Sequence, residues 1–193
     1  RSSAASGVRI DPGIVFKFTN NTLHSNNSAG LAVTGDVSSS GGTVITISGN
    51  TVTDNSSAGG QPAGGIFVGP KNDSAPTFGT DITTYITNNV IKNNGSGSDS
   101  AGIKASGGNF VISQNELIDN QGSYGGGISN YPPRSGTITI TDNLIKGNAG
   151  THGGGIYVES AGSRITISGN QIIENHKSND NGGGGGIVTM VEA

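Results

Sequence analysis

A metal-dependent or acid–base centre needs several ionisable side chains in one place, and this chain has few to offer. Its 193 residues carry 13 Asp and Glu, 10 Lys and Arg and three His, so 12% are charged. Three acids, Asp54, Asp119 and Glu174, each stand directly before an Asn, and Lys92 and Lys146 fall in the segments between them. Because the equivalent position between each acid and the next is neutral, Asn93 or Gly147, no carboxylate pair forms to bind a hard cation. Weak surface ion pairs of Lys92 with Asp119 and Lys146 with Glu174 are expected instead. The stretch 69–83 adds Lys71, Asp73 and Asp81, read as a solvated turn. His24, His152 and His176 lack metal-ligand spacing, and no Ser sits in a nucleophile-elbow context. Residues 179–182, Asn-Asp-Asn-Gly, open like a Ca²⁺ loop but lack its closing acid.

Two further places could meet carbohydrate. Tyr131-Pro-Pro-Arg134, with Tyr124 upstream, offers an aromatic ring and a cation for stacking on a sugar, although a packed turn serves equally well. Five Asn-x-Ser/Thr sequons occur, at Asn20, Asn26, Asn55, Asn72 and Asn94, and only Asn72 suits a glycan for the reason given below. No catalytic residue, cofactor or metal ligand set is assigned.

What must position these residues is an unusual chain. Gly supplies 35 residues, aromatics 5%, and Trp and Cys none. A net charge of −3 with scattered cations argues against nucleic acid and anionic membrane as partners. No apolar run is long enough for a membrane-spanning helix, and without Cys no disulfide staples the chain. Abundant Gly and Ser would fit disorder, but Ile, Val and Thr are also plentiful, so periodicity decides.

One eleven-residue segment occurs six times without internal gaps, as at Ile45–Asn55 and Ile165–Asn175. Aligned, it gives a first Asn column, Asn21, Asn50, Asn89, Asn115, Asn143 and Asn170, and a second, Asn26, Asn55, Asn94, Asn120, Asn148 and Asn175. Apolar columns accompany them: Phe18, Ile47, Ile86, Ile112, Ile140 and Ile167, then Leu23, Val52, Ile91, Leu117, Ile145 and Ile172. A Gly-apolar element alternates with this segment, as in Gly65-Ile66, Gly102-Ile103 and Gly155-Ile156. Each repeat therefore reads as three short strands with Gly or Asn corners. Strands so short fold only by stacking at ~4.8 Å spacing, which piles like residues into columns. Asn suits a corner because it tolerates a left-handed backbone and its amide can bond to its neighbour in the next coil. A glycan on Asn26, Asn55 or Asn94 would break that stack. Successive first-column Asn lie 29, 39, 26, 28 and 27 residues apart, so insertions belong to the turns. The reading is an all-β right-handed parallel β-helix, one domain over 1–193, of about six coils and roughly 30 Å tall.

On these columns the chain resembles the parallel β-helix repeat proteins, especially surface passengers typified by chlamydial polymorphic outer membrane proteins. Those carry GGA-apolar and Phe-x-x-Asn motifs. The first is matched at Ala63-Gly-Gly-Ile66, Gly125-Gly-Gly-Ile128 and Gly153-Gly-Gly-Ile156, and the second with Leu, Val or Ile in place of Phe, as at Val52-x-x-Asn55. The resemblance implies an extracellular or cell-surface solenoid: a fibre subunit or an adhesin stalk. The wider class also includes pectate-lyase-like enzymes and tailspikes, so binding or cleavage of acidic glycans is the alternative. Thr46-x-Ser48, Thr139-x-Thr141 and Thr166-x-Ser168 resemble ice-binding arrays, but Lys17, Tyr85 and Val111 interrupt them. No cap helix is read at either end, so both ends are expected to be open and to stack head-to-tail on other copies.

Overall fold

The computed structural model describes residues 8–9, 15–35, 42–57, 63–70, 79, 81–97, 100–130, 136–160, 162–178 and 183–191. Every strand among them pairs in parallel with its counterpart in the next coil, and four sheets run side by side along the stack. The long sheet holds Val15–Thr19, Thr43–Ser48, Ile82–Thr87, Asn109–Ser113, Thr137–Thr141 and Arg164–Ser168. Past the first Asn corner lies a narrow sheet of six three-residue strands, from Thr22–His24 to Gln171–Ile173. Past the second corner come five two-residue strands, Ser56–Ser57 to His176–Lys177, and then the seven-stranded glycine-led sheet, Val8–Arg9 to Ile187–Val191. The two-residue sheet is a fourth pairing that the three-strand reading leaves out.

Register explains why the columns recur. Phe18, Ile47, Ile86, Ile112, Ile140 and Ile167 are consecutive cross-strand partners on the long sheet. Leu23, Val52, Ile91, Leu117, Ile145 and Ile172 are partners on the narrow sheet. A period of two points alternate residues inward, so Thr43–Ser48 alternates buried and half-buried positions. Ile47, Ile86, Ile91, Ile103, Ile112 and Ile140 are wholly buried, each worth about 1.5–3 kcal/mol in water excluded. A shift of one residue in any coil would turn these side chains out, which fixes the register.

The glycine-led sheet departs from alternation. Its outward residues Phe67, Lys104, Ser129 and Tyr157, partners in that order, are also buried. The Lys104 ammonium lies 5.6 Å from the Phe67 ring centroid, within cation–π range. The middle strands of this sheet, Ile66–Gly69, Ile103–Ala105 and Ile128–Asn130, are covered on both faces, whereas outward residues of the long sheet stay half-buried or exposed.

Candidate functional site

The most organised polar chemistry in the molecule is inside it. In the first ladder the Asn89 backbone N–H and Nδ2 both donate to Asn115 Oδ1, at 3.0 and 2.9 Å. Asn115 repeats this toward Asn143 Oδ1 at 2.9 and 3.0 Å, and its Nδ2 also donates back to Ile86 O at 2.8 Å. One amide thus ties three successive coils. The pattern runs from Asn21 to Asn170, and the second ladder reproduces it from Asn26 to Asn175. Eight of the twelve ladder residues, Asn50, Asn55, Asn89, Asn94, Asn115, Asn120, Asn143 and Asn148, are no more than 1% exposed. Full pairing is what makes such burial tolerable, since an orphaned buried amide costs about 1–3 kcal/mol.

The left-handed backbone falls elsewhere than expected. None of the ladder Asn has positive φ; the residue before each one does. Asn20, Gly49, Asn88, Gln114, Asp142 and Gly169 precede the first column with φ between 56° and 68°. Ser25, Asp54, Asn93, Asp119, Gly147 and Glu174 precede the second with φ between 53° and 65°. The ladder Asn is selected for its amide alone, and the preceding residue makes the corner. Asp54, Asp119 and Glu174 therefore have a backbone task, and their carboxylates fall in one outer file with Asn93 and Gly147 between them. Asn93 Nδ2 donates to Asp54 Oδ1 at 3.3 Å, which separates the acids further.

A second selection acts on the glycines that open the glycine-led strands. A Cβ on Gly127 would stand 2.5 Å from Gly155 O in the next coil, and one on Gly155 would stand 2.6 Å from Gly186 O. Any side chain there pushes coils apart, which is why the Gly-apolar element repeats.

The remaining candidates disperse. Lys146 Nζ reaches Glu174 at 3.4 Å, as expected, with side chains 46% and 69% exposed. Among the described residues no ion pair joins Lys92 to Asp119. His24 bonds to its neighbour Ser25, His152 stacks on Tyr124 with centroids 4.7 Å apart, and His176 is exposed on the two-residue sheet. Among the described residues no three His, Asp or Glu gather as a metal site. Tyr131, Arg134, Asn72, Lys71, Asp73 and the 179–182 motif lie outside the described residues. Asn26, Asn55 and Asn94, the ladder sequons, are committed to amide pairing.

With four parallel sheets and two amide ladders in place, comparison with known families is decisive. Residues 1–190 match the family described as the right-handed beta helix region. The chain belongs to that family. No curated protein and no solved structure matches it. In this β-helix two features eluded sequence reading. One is a groove of about 380 Å³ along the two-residue sheet, lined by hydroxyl and glycine residues including Ser56, Gly97, Ser123, Thr151 and Ser178, and by the Gln121 amide. The other is the ring cluster of Tyr124, His152 and Tyr157, with centroids within 5.8 Å of one another. Neither keeps one residue type at one aligned position through all the coils, so no column announces it. Among the described residues no helix is long and apolar enough to cross a membrane.

Proposed function

We propose that this β-helix is a structural rod of the cell surface or extracellular space, serving as a fibre subunit or as the stem of an adhesin. The observation that carries the reading is the use made of polar groups. Both Asn ladders run unbroken through six repeats, with amide hydrogens and oxygens consumed in joining one coil to the next. A stack so tied is stiff along its axis and holds whatever is attached to it at fixed spacing. The Gly-Gly-Ile and Val-x-x-Asn motifs, like those of surface passengers, favour the same setting. Native-state hydrogen exchange on dilute protein tests it: backbone protection along the stack that survives moderate denaturant supports the stem, and coils that open at low denaturant refute it.

A second reading, a carbohydrate-binding β-helix, is favoured by the groove along the two-residue sheet. Its Ser and Thr hydroxyls recur about once per coil, and Thr151 Oγ1 and Ser178 Oγ already pair at 3.2 Å. A screen of neutral and acidic polysaccharides, with and without Ca²⁺, separates the two. Saturable binding lost on Gln121→Ala favours the second reading.

A further inference from the structure

Of the twelve ladder residues only Asn94 is followed by Gly. In water an Asn-Gly pair is chemically unstable, because a glycine nitrogen has no side chain beside it to hinder attack on the preceding carboxamide. Gly95 N attacks Asn94 Cγ and loses its proton to solvent, and the Nδ2 nitrogen leaves as ammonia. The cyclic imide then takes up one water to give Asp or isoaspartate. The stack immobilises both partners of this reaction. Gly95 N–H, at the start of strand Gly95–Ser96, donates to Asn55 O at 2.8 Å. Asn94 Nδ2 donates to Val52 O at 2.9 Å and to Asn120 Oδ1 at 3.0 Å. Its Oδ1 accepts from Asn55 N at 3.1 Å and from Asn55 Nδ2 at 2.9 Å. The residue is 1% exposed, which keeps water and base from the carboxamide. The fold itself does not demand the glycine. Its partners on the two-residue sheet are Ser56 and Gln121, and Ala149 and His176 follow in the same column. A Cβ on Gly95 would meet nothing nearer than Ser56 Oγ at 3.8 Å.

We infer that Asn94 is a conformation-gated deamidation site, stable while the coils are stacked and converted once this part of the stack opens. The product then keeps the stack from closing again. A carboxylate at 94 has no hydrogen to give to Val52 O or Asn120 Oδ1, sets oxygen against oxygen at both, and carries a charge into a position closed to water. Isoaspartate adds a side-chain carbon to the main chain and so displaces Gly95 N from Asn55 O. Because Asn94 bonds to Asn55 on one side and Asn120 on the other, the break falls inside the ladder and severs coils in both directions. One covalent step thus makes opening of the central coils irreversible. The chemistry is the same whether the rod is a stem or binds carbohydrate.

Peptide mapping by mass spectrometry tests this, after incubation in mildly alkaline buffer with and without concentrated guanidinium chloride. In denaturant the peptide spanning 94–95 should gain one mass unit and yield isoaspartate. In the folded chain the same conversion should be about 100-fold slower or more, since it proceeds only through the open fraction. Chain held in denaturant for increasing times and then diluted should lose refoldable protein, followed by circular dichroism, in step with conversion at Asn94. Gly95→Ala, for which the space exists, should slow both the conversion and the loss by about tenfold or more. Asn94→Asp, the product made directly, should unfold at a much lower denaturant midpoint than Gly95→Ala. Conversion in the folded chain at the denatured rate overturns the inference. So does a loss of refoldable chain that Gly95→Ala leaves unchanged, and so do equal unfolding midpoints for Asn94→Asp and Gly95→Ala.

Discussion

Replacing Asn115 by Ala removes an amide that serves three coils, and the loss can be worked through atom by atom. The side chain is 1% exposed, so water does not reach the groups it leaves behind. Asn89 N–H loses its acceptor at 3.0 Å, and the Ile86 carbonyl loses the donor at 2.8 Å. Asn89 Nδ2 keeps Ile47 O and Thr87 O, and Asn143 Oδ1 keeps the Asn115 backbone N–H, so these two are only partly stranded. The Ile86 carbonyl keeps its place in the parallel ladder with Asn109–Ser113, so one orphaned buried group at about 1–3 kcal/mol and three weakened ones at about 1 kcal/mol together put the loss at about 2–4 kcal/mol, against a total stability of about 5–15 kcal/mol. Asn21→Ala is the internal control. That residue is exposed and gives up a 3.2 Å amide bond to Asn50 and a local one to Thr19 O, while its backbone N–H keeps Asn50 Oδ1 at 2.9 Å. About 0.5–1 kcal/mol is expected there. Urea unfolding followed by far-ultraviolet circular dichroism measures both. Equal losses at the two sites would refute the claim that burial and three-coil bonding set the ladder's worth.

Other substitutions probe the corners and the surface. Gly127→Ala drives a methyl toward Gly155 O and should lose about 2–4 kcal/mol by thermal unfolding, whereas Gly162→Asn, at φ 71° with nothing within 4 Å of the new Cβ, should stay within about 1 kcal/mol of wild type. Gln114→Gly, at an exposed corner with φ 57°, should raise stability by about 0.5–1 kcal/mol in the same assay, because Gln pays a left-handed penalty that Gly does not. Lys146→Ala should change the unfolding free energy by no more than about 0.5 kcal/mol, since both partners of the pair with Glu174 face solvent.

The fold was legible wherever a coil-to-coil contact demands one residue type. Only Asn offers both a donor pair and an acceptor in the ladder position, so Asn50, Asn89 and Asn115 share a letter. Aliphatics fill the core columns, and Gly stands where carbonyls of the next coil come close. Contacts made by backbone alone left no such mark. The two-residue strands Ser56–Ser57, Gly95–Ser96, Gln121–Gly122, Ala149–Gly150 and His176–Lys177 pair through main-chain groups and share no side chain. The left-handed corners accept Asn, Asp, Gly, Gln, Ser or Glu because their side chains point outward, so the reading attached that conformation to the neighbouring, invariant Asn. Burial on the outer face of the glycine-led sheet was hidden too, since Phe67, Lys104, Ser129 and Tyr157 follow no pattern. The core also holds exceptions. Thr84 interrupts the column of Ile45 and Phe110, Asn130 takes the place that Val158 holds one coil on, and Thr84 Oγ1 and Asn130 Oδ1 are buried without a partner.

The amide ladders are the foundation of the structural reading, and side-chain hydrogen exchange reports on them directly. In ¹⁵N spectra the buried side-chain NH₂ groups of Asn50, Asn55, Asn89, Asn94, Asn115, Asn120, Asn143 and Asn148 should exchange orders of magnitude more slowly than the exposed side-chain amides of Gln114 and Gln171. Exchange of all these groups at the rate of a free primary amide would contradict the ladders and the stacked coil with them.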